Sequence, residues 1–229
     1  MTSLRFVNHP LEEEYHSHTS DWSDGKNTLE EMRAKAKALK LKRLMITDHC
    51  TTDSTSLYCK GRTGNRRNPE DRNISDLELG FGVEADILDE EGGIRQDIQG
   101  VRFGFNILSL HGSTYVGDPT KVTDGMINAM IRHNINLIGH PYDFHLGKMD
   151  VKRIVACANA HRIGVEFNCK SVLNGNADME GVMTVLNEAN RLYFTTDAHS
   201  TDNLETYRRD GLTFLREEGF SLIYDGGLI

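Results

Sequence analysis

Short apolar runs in this chain of 229 residues repeatedly end on a histidine or contain a carboxylate. That repetition constrains the fold more than any other feature. YHSH presents His16 and His18, ITDH presents Asp48 and His49, and GVEADI contains Glu84. LSLH ends on His111, LIGH ends on His140, VEFN contains Glu166, and TTDAH carries Asp197 and His199. Read as seven strands over 14–18, 44–48, 81–88, 105–110, 136–139, 164–168 and 192–196, these runs alternate with segments of helical period at 28–40, 122–133, 151–160, 178–189 and 203–218. Such alternation is the pattern of a parallel βα fold. The sharpest helix signal lies at 28–40, where Thr28 and Glu31 have capping-box spacing and Leu29, Met32, Ala36 and Leu39 recur at helical period. Gly211 falls inside the last segment and predicts a weak point there.

In a parallel barrel, groups at the carboxyl ends of different strands converge on one mouth. Imidazoles and carboxylates gathered there form a site for several divalent cations, and mixed ligation of this type suits zinc, manganese and iron. His16 with His18, and Asp197 with His199, stand two residues apart, so extended chain turns both members of each pair to one side. One such pair alone says little, because a single histidine is usually a core or surface residue. Recurrence at successive strand ends is what points to metal. Asp48 and Glu166 are placed to fix imidazole tautomers, Glu166 equally to be a buried partner with no such role. His133 and His161 fall at helix ends, where an imidazole suits the dipole, and are read as outside the site.

Composition narrows the function classes. Net charge is −8, from 26 basic and 34 acidic residues, which argues against a broad basic face for duplex nucleic acid and leaves a small anionic substrate held by metal. Apolar residues at 38%, charged at 26% and only 4 prolines exclude collagen-like and disordered classes. No apolar run approaches the roughly 18 residues of a spanning helix, so no membrane association is expected. Glutamates crowd the N-terminal stretch where a signal peptide needs apolar residues, and Cys50, Cys59, Cys157 and Cys169 form no CxxC pair; both features fit a cytoplasmic protein with free thiols. The length fits a single domain over 1–229, and the sequence carries no signal for a particular oligomeric state. One polar stretch, 51–73, breaks the rhythm and reads as a long loop, either a lid over the site or a solvated excursion. Arg66 and Arg67 in it, His145 after the fifth run and Lys170 after the sixth are candidate substrate contacts, since Arg and Lys grip phosphate.

From about Tyr15 to about Ser200 the chain resembles the PHP (polymerase and histidinol phosphatase) metal-dependent phosphoesterases. HSHTSDWSDG is similar to the family's HxHT…SDG, ITDH to its TDH, GVEADI to its GxE and TTDAHS to its SDAH, while SLHG and GHP look like its fourth and fifth ligand stations. The resemblance implies an α/β fold, a distorted (β/α)7 barrel with the metal site at the carboxyl ends of the strands. It implies two or three divalent ions: one held by His16, His18, Glu84 and Asp197, a second by His111 and His140 with Glu84 bridging, and a third by Asp24, His49 and His199. Between Thr19 and Ser23 the chain has three residues where the family's commonest form has two, which makes Asp21 a rival to Asp24; Gly25 completes the SDG and favours Asp24. The implied activity is hydrolysis of a small phosphomonoester by a metal-activated hydroxide, histidinol-phosphatase-like, with Asp197, His199 and Glu84 at the reacting centre. The alternatives are a phosphodiesterase or nuclease of the same fold, and a non-catalytic PHP module, against which every ligand station is filled. An amidohydrolase barrel also begins with HxH, but often has a bridging lysine where this chain reads Leu110-His111-Gly112.

Overall fold

The computed structural model describes residues 2–50, 73–74, 77–144, 146–224 and 227–228. The chain opens with strand β1 (Thr2–Arg5), then β2 (Glu13–Glu14), helix α1 (Leu29–Ala38) and β3 (Arg43–Ile46). Next come β4 (Asn73–Ile74), β5 (Leu77–Phe81), β6 (Val83–Ile87) and the short strands β7 (Ile94–Arg95), β8 (Asp97–Ile98) and β9 (Val101–Arg102). The second half runs β10 (Asn106–Ser109), α2 (Val122–Arg132), β11 (Leu137–Ile138), α3 (Val151–His161), β12 (Gly164–Asn168), α4 (Cys169–Leu173), α5 (Met179–Glu188), β13 (Leu192–Thr195), α6 (Thr201–Glu217), β14 (Phe220–Tyr224) and β15 (Gly227–Leu228).

The parallel pattern expected from the alternation is present. β2 pairs with β3 and β3 with β5, all parallel; β6, β10, β11, β12 and β13 pair successively, again all parallel. Gly82 joins the two sets, donating its N–H to Ile46 O at 2.9 Å, and a further parallel bridge links His49 with Glu84. The run expected at 81–88 is therefore two strands broken at Gly82, the run expected at 14–18 is regular only at Glu14, the end of β2, and the run expected at 136–139 only over Leu137–Ile138. β6, β10 and β12 are buried along their whole length, as strands covered on both faces must be. Among the described residues β1 is an addition: it lies parallel to β14 in a small separate sheet.

Helices enclose the strands, burying one face each. Thr28 caps α1 with the expected reciprocal bonds to Glu31, worth about 1 kcal/mol. α6 runs unbroken through Gly211 and buries Leu204, Arg208, Gly211, Leu212 and Leu215. Close packing explains that glycine: a Cβ there would stand 2.4 Å from Cys169 Sγ. Cys50, Cys157 and Cys169 are in no disulfide, and Cys59 lies outside the described residues. No helix of the described residues is long and apolar enough to cross a membrane.

Candidate metal centre

The strand exits bring their polar side chains to one place. His16 and His18 follow β2, His49 follows β3, Glu84 sits within β6, His111 follows β10, His140 follows β11, and Asp197 and His199 follow β13. Their relative exposures stay at or below 6% through Asp197, a burial that polar groups tolerate only with partners. Glu84 is the hub. Its Oε2 lies 2.9 Å from His49 Nδ1 and 3.4 Å from both His16 Nε2 and His18 Nε2, and its Oε1 lies 2.9 Å from His140 Nε2 and 3.4 Å from His111 Nε2. Asp197 Oδ1 stands 3.3 Å from His18 Nε2 and 3.8 Å from His16 Nε2. Asp24 Oδ1 lies 3.2 Å from His199 Nε2 and 3.5 Å from His49 Nε2.

Three groupings of donor atoms result: His18, Asp24, His49 and His199; His16, His18 and Glu84; and His49, Glu84 and His111. Two observations test whether they suit cations. His16 Nε2, His18 Nε2, Glu84 Oε2 and Asp197 Oδ1 are buried and make no hydrogen bond among the described residues. Buried polar atoms are almost always bonded, so four unbonded ones facing each other need a cation to satisfy them. Their spacing fits as well: ligands about 2.1 Å from a tetrahedral ion lie roughly 3.4 Å apart. The second observation concerns the far side of the rings. His16 Nδ1 lies 3.0 Å from Glu166 Oε2, His111 Nδ1 2.5 Å from Asp86 Oδ1, His199 Nδ1 2.9 Å from Asp197 O and His18 Nδ1 3.3 Å from Ser23 Oγ. An oxygen on Nδ1 turns Nε2 and its lone pair toward the cluster, the arrangement of metal-ligating histidines.

Charge in the cluster follows the same logic. Burial pushes the His16 imidazole down, but the carboxylates of Glu166, Asp197 and Glu84 outweigh it and raise its proton affinity well above the ordinary value. His111 is raised likewise against burial by Glu84 and Asp86, and His140 by Glu84 and Asp143. His18, buried and facing the His199 and His49 rings, is pushed well below it. Burial works to raise Glu84, Asp197 and Asp24, yet the surrounding imidazoles, with Lys170 for Asp197, hold all three well below the usual carboxylate range. Three ionised carboxylates, Glu84 and Asp197 buried and Asp24 partly exposed, make the pocket a strong attractor of cations.

Local structure explains how each group arrives. Asp48 accepts from Thr19 N, Thr19 Oγ1 at 2.8 Å and Ser23 Oγ at 2.9 Å, so it fixes the turn after His18, and Ser23 in turn meets the His18 ring. A Cβ on Gly25 would stand 2.7 Å from the His18 and Thr19 backbone, and the close approach its absence permits brings Asp24 to the pocket. Asp21 points elsewhere, accepting from Leu29 N at 2.8 Å at the start of α1. Glu166 resolves to an active partner: besides His16 it accepts from His140 N at 2.8 Å, Thr195 Oγ1 at 2.8 Å and Asn168 Nδ2 at 2.7 Å. Lys170 Nζ lies 3.1 Å from Asp197 Oδ2 and faces a cavity of about 90 Å³ bordered also by Asp24, His49, His111, His140 and His199. His133 and His161 sit away from the cluster, at the ends of α2 and α3. Arg66, Arg67, His145 and the 51–72 stretch lie outside the described residues, while Asn73 already belongs to β4.

Sequence reasoning missed Asp86, whose Oδ1 holds His111 and whose Oδ2 accepts from Cys50 Sγ at 3.1 Å. The signal was present, since a residue two beyond Glu84 on a strand shares its face. It missed Asn168, which donates to both Glu166 and Asp197, and Asp143, which accepts from Ser171 Oγ at 2.9 Å beside His140.

Known proteins resemble this chain. The PHP domain model matches residues 14–216. A probable phosphatase of Caldicellulosiruptor saccharolyticus is 33% identical over 181 residues, covering 77% of this chain and 73% of that protein. A probable phosphatase of Shigella flexneri is 27% identical over 169 residues, 72% of this chain and 67% of that protein. The structure of histidinol phosphate phosphatase from Lactococcus lactis, solved with zinc, L-histidinol and phosphate, superposes with a TM-score of 0.57 at 14% identity, covering 93% of this chain and 95% of that one; that likeness concerns the fold. The chain belongs to the PHP domain family. It is a metal-dependent phosphoesterase.

Proposed function

We propose that the protein is a phosphatase for a small phosphomonoester, of the histidinol-phosphatase kind, built as a single distorted (β/α)7 barrel. The parallel bridge between Ser17 and Ala198, with His18 N donating to Ala198 O at 2.9 Å, supports a ring in which the first and seventh strand exits meet. The observation that carries the functional reading is the set of buried, unbonded donor atoms on His16, His18, Glu84 and Asp197. These four hold one ion; His111 and His140 with Glu84 hold a second; Asp24, His49 and His199 hold a third. His49 belongs to two groups, since Nδ1 faces Glu84 while Nε2 faces Asp24. Zinc, manganese and iron all suit this mixed donor set.

The ions supply Lewis acidity when bound, polarising phosphoryl oxygens and making water acidic enough to act as a nucleophile near neutral pH. The chain's own residues set where that happens. Asp197 and His199 border the cavity and Glu84 stands behind it against His49, His111 and His140, so these three would hold the ions and set the reacting centre. Lys170, raised in proton affinity by Asp197 and Glu84 against burial, stays charged and meets the phosphoryl group. A water oxygen joins phosphorus, the ester oxygen leaves, and the alcohol takes the proton the water gives up. A cavity of about 90 Å³ admits the phosphoryl group and leaves the alcohol at the rim, which supports a small monoester over an enclosed polymer strand. Arg66, Arg67 and His145 are proposed as further contacts to the substrate.

Hydrolysis of a panel of phosphorylated metabolites, histidinol phosphate among them, and of short oligonucleotides by the metal-reconstituted protein tests this reading. Release of inorganic phosphate from a monoester is the expected result. Cleavage of oligonucleotides with no monoester turnover would replace it with the phosphodiesterase alternative.

A further inference from the structure

One carboxylate ties the first strand exit to the last. Glu14 is fully buried. Its Oε1 accepts from the backbone N–H of Tyr15 at 3.0 Å, His16 at 2.9 Å and Thr196 at 3.2 Å. Its Oε2 accepts from Thr196 Oγ1 and from Arg208 Nη2, both at 2.7 Å. Arg208 reaches in from α6, is 6% exposed, and uses Nη1 to donate to Glu13 O at 3.1 Å and to Pro10 O. Five hydrogen bonds thus converge on Glu14: one from His16 itself and two from the residue preceding Asp197.

Stability is a weak explanation for this pair. Removing two charges from water offsets most of their attraction, and an apolar pair of similar volume commonly serves a fold as well. What an apolar pair cannot do is hold the backbone at His16 and the backbone at Thr196 from a single point. Asp197 needs such holding, because its φ of +52° lies in the left-handed region that residues with a Cβ disfavour. Conformations of that kind persist where the surroundings over-determine them.

We propose that Glu14 and Arg208 are positioning residues for the metal centre. The pair keeps Asp197 in its left-handed conformation and sets the 3.8 Å separation between His16 Nε2 and Asp197 Oδ1. It touches neither ion nor substrate and acts through the backbone and through Thr196. This rests on the assignment of His16 and Asp197 as ligands under the proposed function.

The test is Zn²⁺ affinity, read by competing a chromophoric chelator against the zinc-loaded protein, with near-UV circular dichroism as the check of folding. Glu14→Gln combined with Arg208→Met removes both charges and leaves neither one buried alone. The expected result is native dichroism with zinc bound about 10- to 100-fold more weakly, the range for groups that orient ligands. Zinc affinity equal to wild type would overturn the proposal. If the double variant does not fold, Thr196→Val, which deletes one bond to Glu14 at constant volume, takes its place: several-fold weaker zinc is expected and unchanged affinity overturns. Asn8→Ala is the control, because Asn8 exchanges two hydrogen bonds with Phe194 across the same seam without holding a ligand-bearing residue. It should lower thermal stability and spare zinc affinity; an equal loss of zinc would mean that any loosening of the seam suffices, and would also overturn the proposal. His16→Ala in the same assay separates the two readings. If His16→Ala binds zinc like wild type, the ligand assignment fails and this inference with it; if only His16→Ala loses zinc, the positioning role alone fails.

Discussion

His111 and His133 follow consecutive elements, β10 and α2, yet their surroundings differ in kind. His111 is buried, with Asp86 behind its Nδ1 and Glu84 before its Nε2. His133 is half-buried at the C-terminal end of α2 and spends its Nε2 on Gly92 O at 3.0 Å. His140 and His161 repeat the contrast: the first lies 2.9 Å from Glu84, the second is an exposed residue in the last turn of α3. Strand exits and helix ends both favour histidine, for different reasons. At a helix end a single imidazole meets local carbonyls and the dipole. At the strand exits five imidazoles from four segments share one carboxylate, an arrangement that local chain properties do not require.

Substitutions sharpen this contrast, beginning with the shared carboxylate. Glu84→Gln keeps shape and removes the charge that five imidazoles face, so turnover should fall by more than about 100-fold, beyond the range for residues that merely orient ligands. Steady-state kinetics with matched metal content checks it. His49→Ala, His140→Ala and His199→Ala should each cost at least about tenfold in turnover, with lowered ion content by elemental analysis. Losing the groups behind the rings is the next step down: Asp86→Asn or Glu166→Gln should weaken metal binding about 10- to 100-fold while the protein remains folded, as a chelator competition would report.

Acid should act on the metal affinity of the strand exits. Carboxylates raise the proton affinity of His16, His111 and His140, so these rings hold protons to higher pH than an ordinary imidazole and compete with metal for them. Metal affinity is therefore fully present in base and is lost as pH falls, beginning above the ordinary imidazole value of about 6.5. Apparent affinity measured between about pH 8 and pH 6 should decline throughout; a flat profile would contradict the assigned cluster. The smallest effect belongs to the helix ends, where His133→Ala and His161→Ala should leave turnover within about twofold of wild type. Comparable losses in both sets, with folding intact, would erase the distinction.

Much of the buried cluster could be read from the chain because strand ends recur locally: His16 with His18 declare a shared face by spacing alone, whereas Asp197 meets His199 through a left-handed backbone that spacing does not encode. The cap at Thr28 was readable for the same reason. What could not be read depends on distance along the chain. Nothing near Glu14 announces Arg208, which reaches it across 194 residues, or Thr196 across 182. β1 was missed because its partner β14 lies at the other end of the sequence. The break at Gly82 and the continuity of α6 through Gly211 turned on contacts with Phe105 and Cys169, which position in the sequence does not encode. Asp21 and Asp24, rivals in the sequence, lie apart in the fold: Asp24 faces His199, whereas Asp21 accepts from Leu29 N.

A single multi-ion centre at the strand exits is measured most directly by the number of ions it holds. Elemental analysis of protein reconstituted with excess zinc or manganese and freed of loose metal should find two or three ions per chain, falling by about one in His16→Ala. Fewer than about one ion per chain in the folded wild-type protein would contradict it.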